Sequence, residues 1–473
     1  MRTATLLRLA TTGGRQDVLR IATTALGTAA GTLALLCALT VVAIGPGEGR
    51  YTSNLLNEQD LHTGVVITFV LLGIPLLAFV GQCSRIGAPA RDRRLASLRM
   101  SGASPGDVTR IAAAESGVAA AGGAVAGLAI YVAGRELLDD PSTVGAQVVR
   151  SLPTDVMPPW WALLVVVAGL PAAAALFSAI ALRRVALTPF GILREQRDVP
   201  PRVLPLALLV LGGGGMAAFS AIVAVAHLDR RPVILGGAIF ALLFLLAASG
   251  LILGTASFAA VFGRLLAPRV RRPSLLIASR RMIALPLSAS RTSSAILLAV
   301  LIGALVAGLR TNILLATNHS ETFYASTFDL IDLAIAVALA IAAAGLLVNA
   351  AEGIVGRRRT YAALVAAGTP RPVLARAALA ETLLPLIPGV ILAAAMGILA
   401  ARGVFGTRVE RLDTQVVDGV RVNVASRMVD VPVPWEQLGI LVGGSLAVIF
   451  VTTAIALAFL RSASDPTELR TAA

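Results

Sequence analysis

The 473-residue chain contains no lysine. A Walker-type phosphate loop needs that ammonium on the β- and γ-phosphates, so this chain is not an ATPase by itself. Schiff-base chemistry is excluded for the same reason. Histidine is scarce too: His62, His227 and His319 stand far apart, and neither HExxH nor GxSxG occurs. No metal site, cofactor site or catalytic constellation is therefore expected, and the chain reads as a non-enzyme. The two cysteines, Cys37 and Cys83, fall on apolar segments at opposite expected depths and read as packing residues, not a disulfide. Charged residues make up only 14%, and no soluble domain offers the basic face that nucleic-acid binding requires.

Apolar residues are abundant instead, at 57% of the chain with a mean hydropathy of +0.84. Ten runs have bilayer-spanning character, at about 21–44, 64–82, 111–133, 160–182, 203–226, 233–258, 294–309, 330–350, 378–400 and 437–460. The first is too long for a cleavable signal peptide and lacks a small-x-small exit. With the N-terminus inside, the inner segments hold 29 arginines and 10 acids, a balance of +19. The outer segments hold 11 arginines and 16 acids, a balance of −5. That asymmetry predicts a multi-pass protein of the cell (plasma or inner) membrane with both termini cytoplasmic. Its basic loops are expected to lie against anionic lipid.

The chain also repeats itself. "RDRRLASLRMSGASPGDVTRIAAAE" (Arg91–Glu115) and "RRRTYAALVAAGTPRPVLARAALAE" (Arg357–Glu381) align without a gap at an offset of 266. "RRVALTPFGILRE" follows the fourth run and "RSASDPTELRTA" the tenth, each with a Leu-Arg pair after the proline (Leu193-Arg194, Leu469-Arg470). "LLRLATTGGRQDVLR" and "LLIASRRMIALPLSASR" precede runs one and seven as basic amphipathic segments. The expected fold is an all-α polytopic membrane protein of ten transmembrane helices. Two four-helix repeats, 1–200 and 273–473, are joined by two linking helices in 201–272. Gly123-x-x-x-Gly127 and, 266 residues on, Gly389-x-x-x-Ala393 are candidate close-packing positions.

Each repeated detour reads as a short helix, a break and a second helix entering the membrane. Gly102 and Gly368 are placed to close the first helix with positive φ. Ser104 or Thr369 then serves as N-cap, with Pro105 or Pro370 in the first helical position and Asp107 favouring the start. Leu95 and Leu98, or Tyr361 and Leu364, form an apolar knob among arginines. Two readings are open: a basic loop that sets topology, or a docking surface duplicated because its partner is duplicated. Glu115 and Glu381, near the membrane entry, are expected to pair with Arg94 or Arg110 and with Arg376, respectively.

"RRLASLRMSGASPGDVTRIAAAESGVAAAGGAVAGL" looks like the membrane half of the FtsX/MacB-like permeases, the type VII class of ABC transporter. The post-span "P…LR" tails are similar to that family's as well, and the ten-span arrangement resembles its Bce-type branch. The resemblance implies two coupling helices that sit in clefts of the ATP-binding subunits. One carries Arg91, Arg93, Arg94, Leu95, Leu98 and Gly102, the other Arg357, Arg358, Arg359, Tyr361, Leu364 and Gly368. It further implies that one chain supplies both membrane halves. Two copies of a separate ATP-binding cassette ATPase would bind ATP and Mg. The sequence departs from the family in lacking a large extracellular domain: the loops at about 45–63 and 310–329 are too short for one.

The longest outer segment is 401–436, where "QVVDGVRVNV" alternates around Asp418-Gly419 as a hairpin with a type I′ turn. It reads as a lid or as a compact loop. Asp329 and Asp332 stand at the outer start of run eight, either to meet a cationic substrate or as favourable charges at a helix N-terminus. Trp160, Trp161 and Trp435 read as interfacial anchors. The expected function is transport of an amphipathic, peptide or lipid-like substrate, because the runs carry almost no charge for a polar solute. The alternative is a mechanotransmitter that relays ATPase motion to an extracellular partner. The short outer loops speak against that, and the missing catalytic constellations speak against an intramembrane enzyme.

Overall fold

The computed structural model describes residues 15–44, 51, 97, 100–144, 147–186, 203–225, 233–316, 322–417 and 420–459. The chain divides into two compact units, Met1–Glu195 and Gln196–Ala473. Among the described residues, eight helices are long and apolar enough to cross a membrane. Of the other two expected spans, 64–82 lies outside the described residues. The stretch 203–226 holds two shorter helices meeting at Ala218.

In the first unit, α1 (Arg15–Ala43), α2 (Pro105–Leu137) and α3 (Trp160–Ala186) pack together, with α2 against both neighbours. Close packing rests on the two glycines singled out in α2. A Cβ on Gly123 would overlap the Ala25 carbonyl and the Thr28 hydroxyl, and one on Gly127 would come 2.5 Å from the Ala29 oxygen. Without side chains there, the backbones of α1 and α2 meet directly, which is how helices gain dispersion contact in lipid. Ser178 of α3 donates to the Ala112 carbonyl of α2 at 3.1 Å, so its hydroxyl is satisfied between helices.

At the far end of α2 the chain makes a short hairpin, β1 (Pro141–Val144) with β2 (Gln147–Arg150), which sequence reasoning missed. Its signal was the β-branched pairs Thr143-Val144 and Val148-Val149 around Gly145-Ala146. Polar contacts fasten this region. Asp139 accepts from the Thr154 hydroxyl at 2.6 Å and from Arg150 at 3.0 Å. Tyr51 donates its hydroxyl to Asp155 at 2.8 Å.

The second unit contains α4 (Leu204–Ala217), α5 (Phe219–Val225), α6 (Val233–Leu266), α7 (Pro273–Ala284) and α8 (Pro286–Ala316). It continues with α9 (Thr322–Gly356), α10 (Arg358–Ala366), α11 (Arg371–Phe405), the hairpin β3 (Arg408–Val417) with β4 (Val420–Asp430), and α12 (Trp435–Ala456). Helix α8 is the core: every residue from Ala295 to Ala307 is buried, and α6, α9, α11 and α12 pack around it. A helix apolar on all sides belongs in a protein core or in lipid, and here its neighbours enclose it. The pair expected to link the repeats, 201–272, lies within this unit, with α6 against α7, α8 and α11.

The expected small-residue positions Gly389 and Ala393 are buried, but Gly389 is not against backbone. Gly389 meets only side chains, Thr255 at 3.1 Å and Leu297 at 3.3 Å, for an added Cβ. Backbone approaches in α11 fall further along, at Gly397 against the Leu301 carbonyl of α8 and at Gly403 against the Met216 carbonyl of α4. The hairpin around 418–419 is present and long, paired from Arg408 with Asp430 to Val417 with Val420, with a bulge beyond Asp413. The turn residues themselves lie outside the described set.

Candidate functional site

The second detour is described throughout, and its geometry follows from its sequence. Helix α10 ends at Ala366 and is closed by Gly368, whose φ of +88° is left-handed. The Thr369 N–H reaches the Leu364 carbonyl and the Gly368 N–H reaches the Val365 carbonyl, each at 2.9 Å. This is the paired closure of a Schellman motif. In the first detour Gly102 has the same sign, φ +99°, and the Ser101 N–H reaches Ser97 at 3.1 Å. A Cβ at either glycine would meet nothing within 4 Å, so the requirement is conformational and not steric.

The following helices start differently. Ser104 caps α2: its Oγ accepts the Asp107 N–H at 3.2 Å while the Asp107 carboxylate accepts the Ser104 N–H at 3.3 Å. Pro105 takes the first helical position, as expected. In the second copy the expected Thr369 cap is displaced by one residue. Pro370 is the N-cap, with no side-chain cap bond, and Pro372 sits in the first turn. Pro370 has φ −63° and ψ 138°, an extended conformation. A cap residue may lack an N–H without cost, because that donor is not used by the helix.

Glu381 is the centre of the second detour. Its carboxylate takes Arg357 Nη1 at 3.0 and 3.4 Å and Arg281 Nη1 at 3.5 Å. The expected partner Arg376 is instead exposed, since five residues back on a helix is about 140° round the axis. Burial opposes the charge on Arg357. The field of Glu381 and the bond to it outweigh that penalty, with Tyr361 adding to them, and hold the guanidinium above its ordinary pKa. In the first copy Glu115 is buried at 4% exposure, and Arg110, likewise five residues back, is exposed.

The apolar knob of the second detour faces inward, a correction to the expectation that it protrudes. Tyr361, 2% exposed, forms a core with Ile354, Leu374 and Ala456, and Leu364 packs half-buried against it. Its phenol oxygen accepts from Arg281 Nη1 at 2.8 Å, and that guanidinium lies 4.8 Å from the ring centroid. The three-residue spacing that marks an apolar stripe serves equally well to seat a helix on its own protein. What α10 offers outward is Arg358, Thr360, Ala363 and the stretch 366–368. The side chain of Arg359 lies outside the described set. So do Arg91, Arg93, Arg94, Leu95 and Leu98 of the first detour, where Ser97 and Met100 are helical and exposed, Met100 at 84%.

Asp332 pairs with Arg310 of α8, whose guanidinium also lies 5.9 Å from the Phe328 ring centroid. Helix α9 begins at Thr322, so Asp329 and Asp332 lie beyond its first turn, correcting their placement at a helix N-terminus. The side chain of Asp329 is outside the described set. Trp160, Trp161 and Trp435 are exposed at the starts of α3 and α12, at the ends of the spans away from the detours.

Residues 64–189 match the family model described as FtsX-like permease C-terminal. The chain carries an FtsX-like permease domain. That domain is of the ABC-transporter permease type, whose family typically works with an ATPase partner, and the eight long apolar helices make the chain a multi-pass membrane component. The matched stretch of this permease holds the first detour, α2, the β1–β2 hairpin and α3. The second detour enters through its 266-residue offset repeat. No curated protein and no solved structure matches the permease.

Proposed function

We propose that this one chain supplies both membrane halves of an ABC transporter, with two copies of a separate ATP-binding cassette ATPase docking at Arg91–Gly102 and Arg357–Gly368. ATP and Mg are bound by the ATPase. The detours and both termini face the cytoplasm, as the +19 and −5 charge balance favours. The observation that carries this reading is the shared break. Each detour closes on a left-handed glycine, Gly102 or Gly368, and then leads into a long apolar helix, α2 or α11. A rigid helix so connected passes a push from a docked ATPase into the membrane. The cargo is amphipathic, a peptide or lipid, consistent with spans whose interior is apolar.

The docking surface is the outward side of each detour helix. Met100 and Ala366 occupy equivalent positions, and both are helical and exposed. Neither supports the fold, so a charge placed there tests docking alone. Met100→Asp and Ala366→Asp should each weaken ATPase co-purification by about tenfold or more, and the pair should abolish it. Membrane insertion should stay normal in all three. Retention of two ATPase subunits by the double variant would sink the docking assignment.

A further inference from the structure

Three helices and one joint converge on Tyr361 and Glu381. Arg281 comes from α7, Arg357 from the joint between α9 and α10, Tyr361 from α10 and Glu381 from α11. Arg281 bridges the set, because one nitrogen lies 2.8 Å from the phenol oxygen and 3.5 Å from the carboxylate. Tyr361 has no exposed face to give a partner, so its ring and hydroxyl serve this internal junction.

The first repeat keeps three of the four residue types and lacks one. Arg91 stands at the position of Arg357 and Glu115 at that of Glu381. Leu95, however, replaces Tyr361, and leucine has neither a hydrogen-bond acceptor nor an aromatic face. At the same offset of 266, Arg15 stands where Arg281 does. The phenol through which the arginine ties detour helix to amphipathic helix is therefore missing from the first repeat.

We propose that Arg281 is a positioning residue that ties α10, through Tyr361, to the membrane-entry Glu381, and that only the second repeat has the residues for this tie. The two ATPase docking sites are then unequal, one mounted on a braced helix. This inference rests on the docking reading for its consequence in transport, but the tie itself exists in the permease alone.

The test uses the full chain in lipid nanodiscs without ATPase, reading amide hydrogen exchange over residues 358–366. Arg281→Gln and Tyr361→Leu should each speed exchange there by about tenfold or more. Tyr361→Phe, which keeps the ring, should give a smaller increase, and Arg281→Lys should restore part of the protection. Exchange at Ser97 and Met100 should not change in any variant. Unchanged exchange over 358–366 in both Arg281→Gln and Tyr361→Leu would overturn the tie. A second arm adds the ATPase: turnover retained by Met100→Asp should differ from that retained by Ala366→Asp. Equal turnover would overturn the inequality. Failure of the unaltered permease to hold an ATPase at all would count against the docking reading and leave the exchange result standing.

Discussion

The two detours share a plan, and their following helices are held by different means. Helix α2 begins on a reciprocal cap, Ser104 with Asp107, made within four residues of chain. Helix α11 begins on Pro370 with no side-chain cap, and the junction of Arg357, Arg281, Tyr361 and Glu381 stands beside its first turns. A local cap is closed by neighbours in sequence, whereas the second arrangement requires α7, α10 and α11 to be in place first. Close packing differs in the same way. The first repeat brings backbones together at Gly123 and Gly127, while the second does so at Gly397. Repeats that diverge can thus keep an architecture while moving the contacts that support it.

The largest expected effect comes from filling those backbone contacts. Gly123→Leu and Gly397→Leu should leave little folded permease, because overpacking costs about 1–3 kcal/mol even where side chains can yield, and here the obstacle is a carbonyl. Gly389→Ala should be tolerated, since its Cβ meets side-chain methyls just above 3 Å. Thermal melting followed by fluorescence-detected size exclusion separates these outcomes. Equal losses at Gly389 and Gly397 would break the claim that the contact has moved.

A smaller effect sharpens the contrast in helix starts. Ser104→Ala should destabilise the first repeat by about 1 kcal/mol through loss of the cap. Pro370→Ser should stabilise the second by a fraction of that, by supplying a hydroxyl where none acts now. Melting curves of the two variants should shift in opposite directions.

The smallest concerns the first unit's hairpin. The bond from Thr154, and after it that from Arg150, holds the Asp139 carboxyl below its ordinary pKa. A depressed folded pKa contributes stability that is present above the unfolded value, about 3.9, and lost as pH falls through the folded one. A nitroxide on Val148→Cys should therefore gain mobility on acidification below the usual carboxylate range. With Asp139→Asn it should be mobile at neutral pH already. A pH response that survives in Asp139→Asn would assign it elsewhere.

Local signals carried much of this molecule. The apolar runs determined eight of the spanning helices, because length and hydropathy alone decide whether a segment is stable in lipid. Gly102 and Gly368 were legible as left-handed closures, since few other residues accept that backbone. The Asp418-Gly419 alternation likewise marked the β3–β4 hairpin. Only tertiary structure decided that Tyr361 turns inward, that Glu381 takes Arg357 and Arg281 rather than Arg376, and that Asp332 takes Arg310. An apolar stripe states which face of a helix avoids water, not whether its own protein or another covers it. A carboxylate's partner is set by which helices arrive beside it, and those lie up to 100 residues away in the chain.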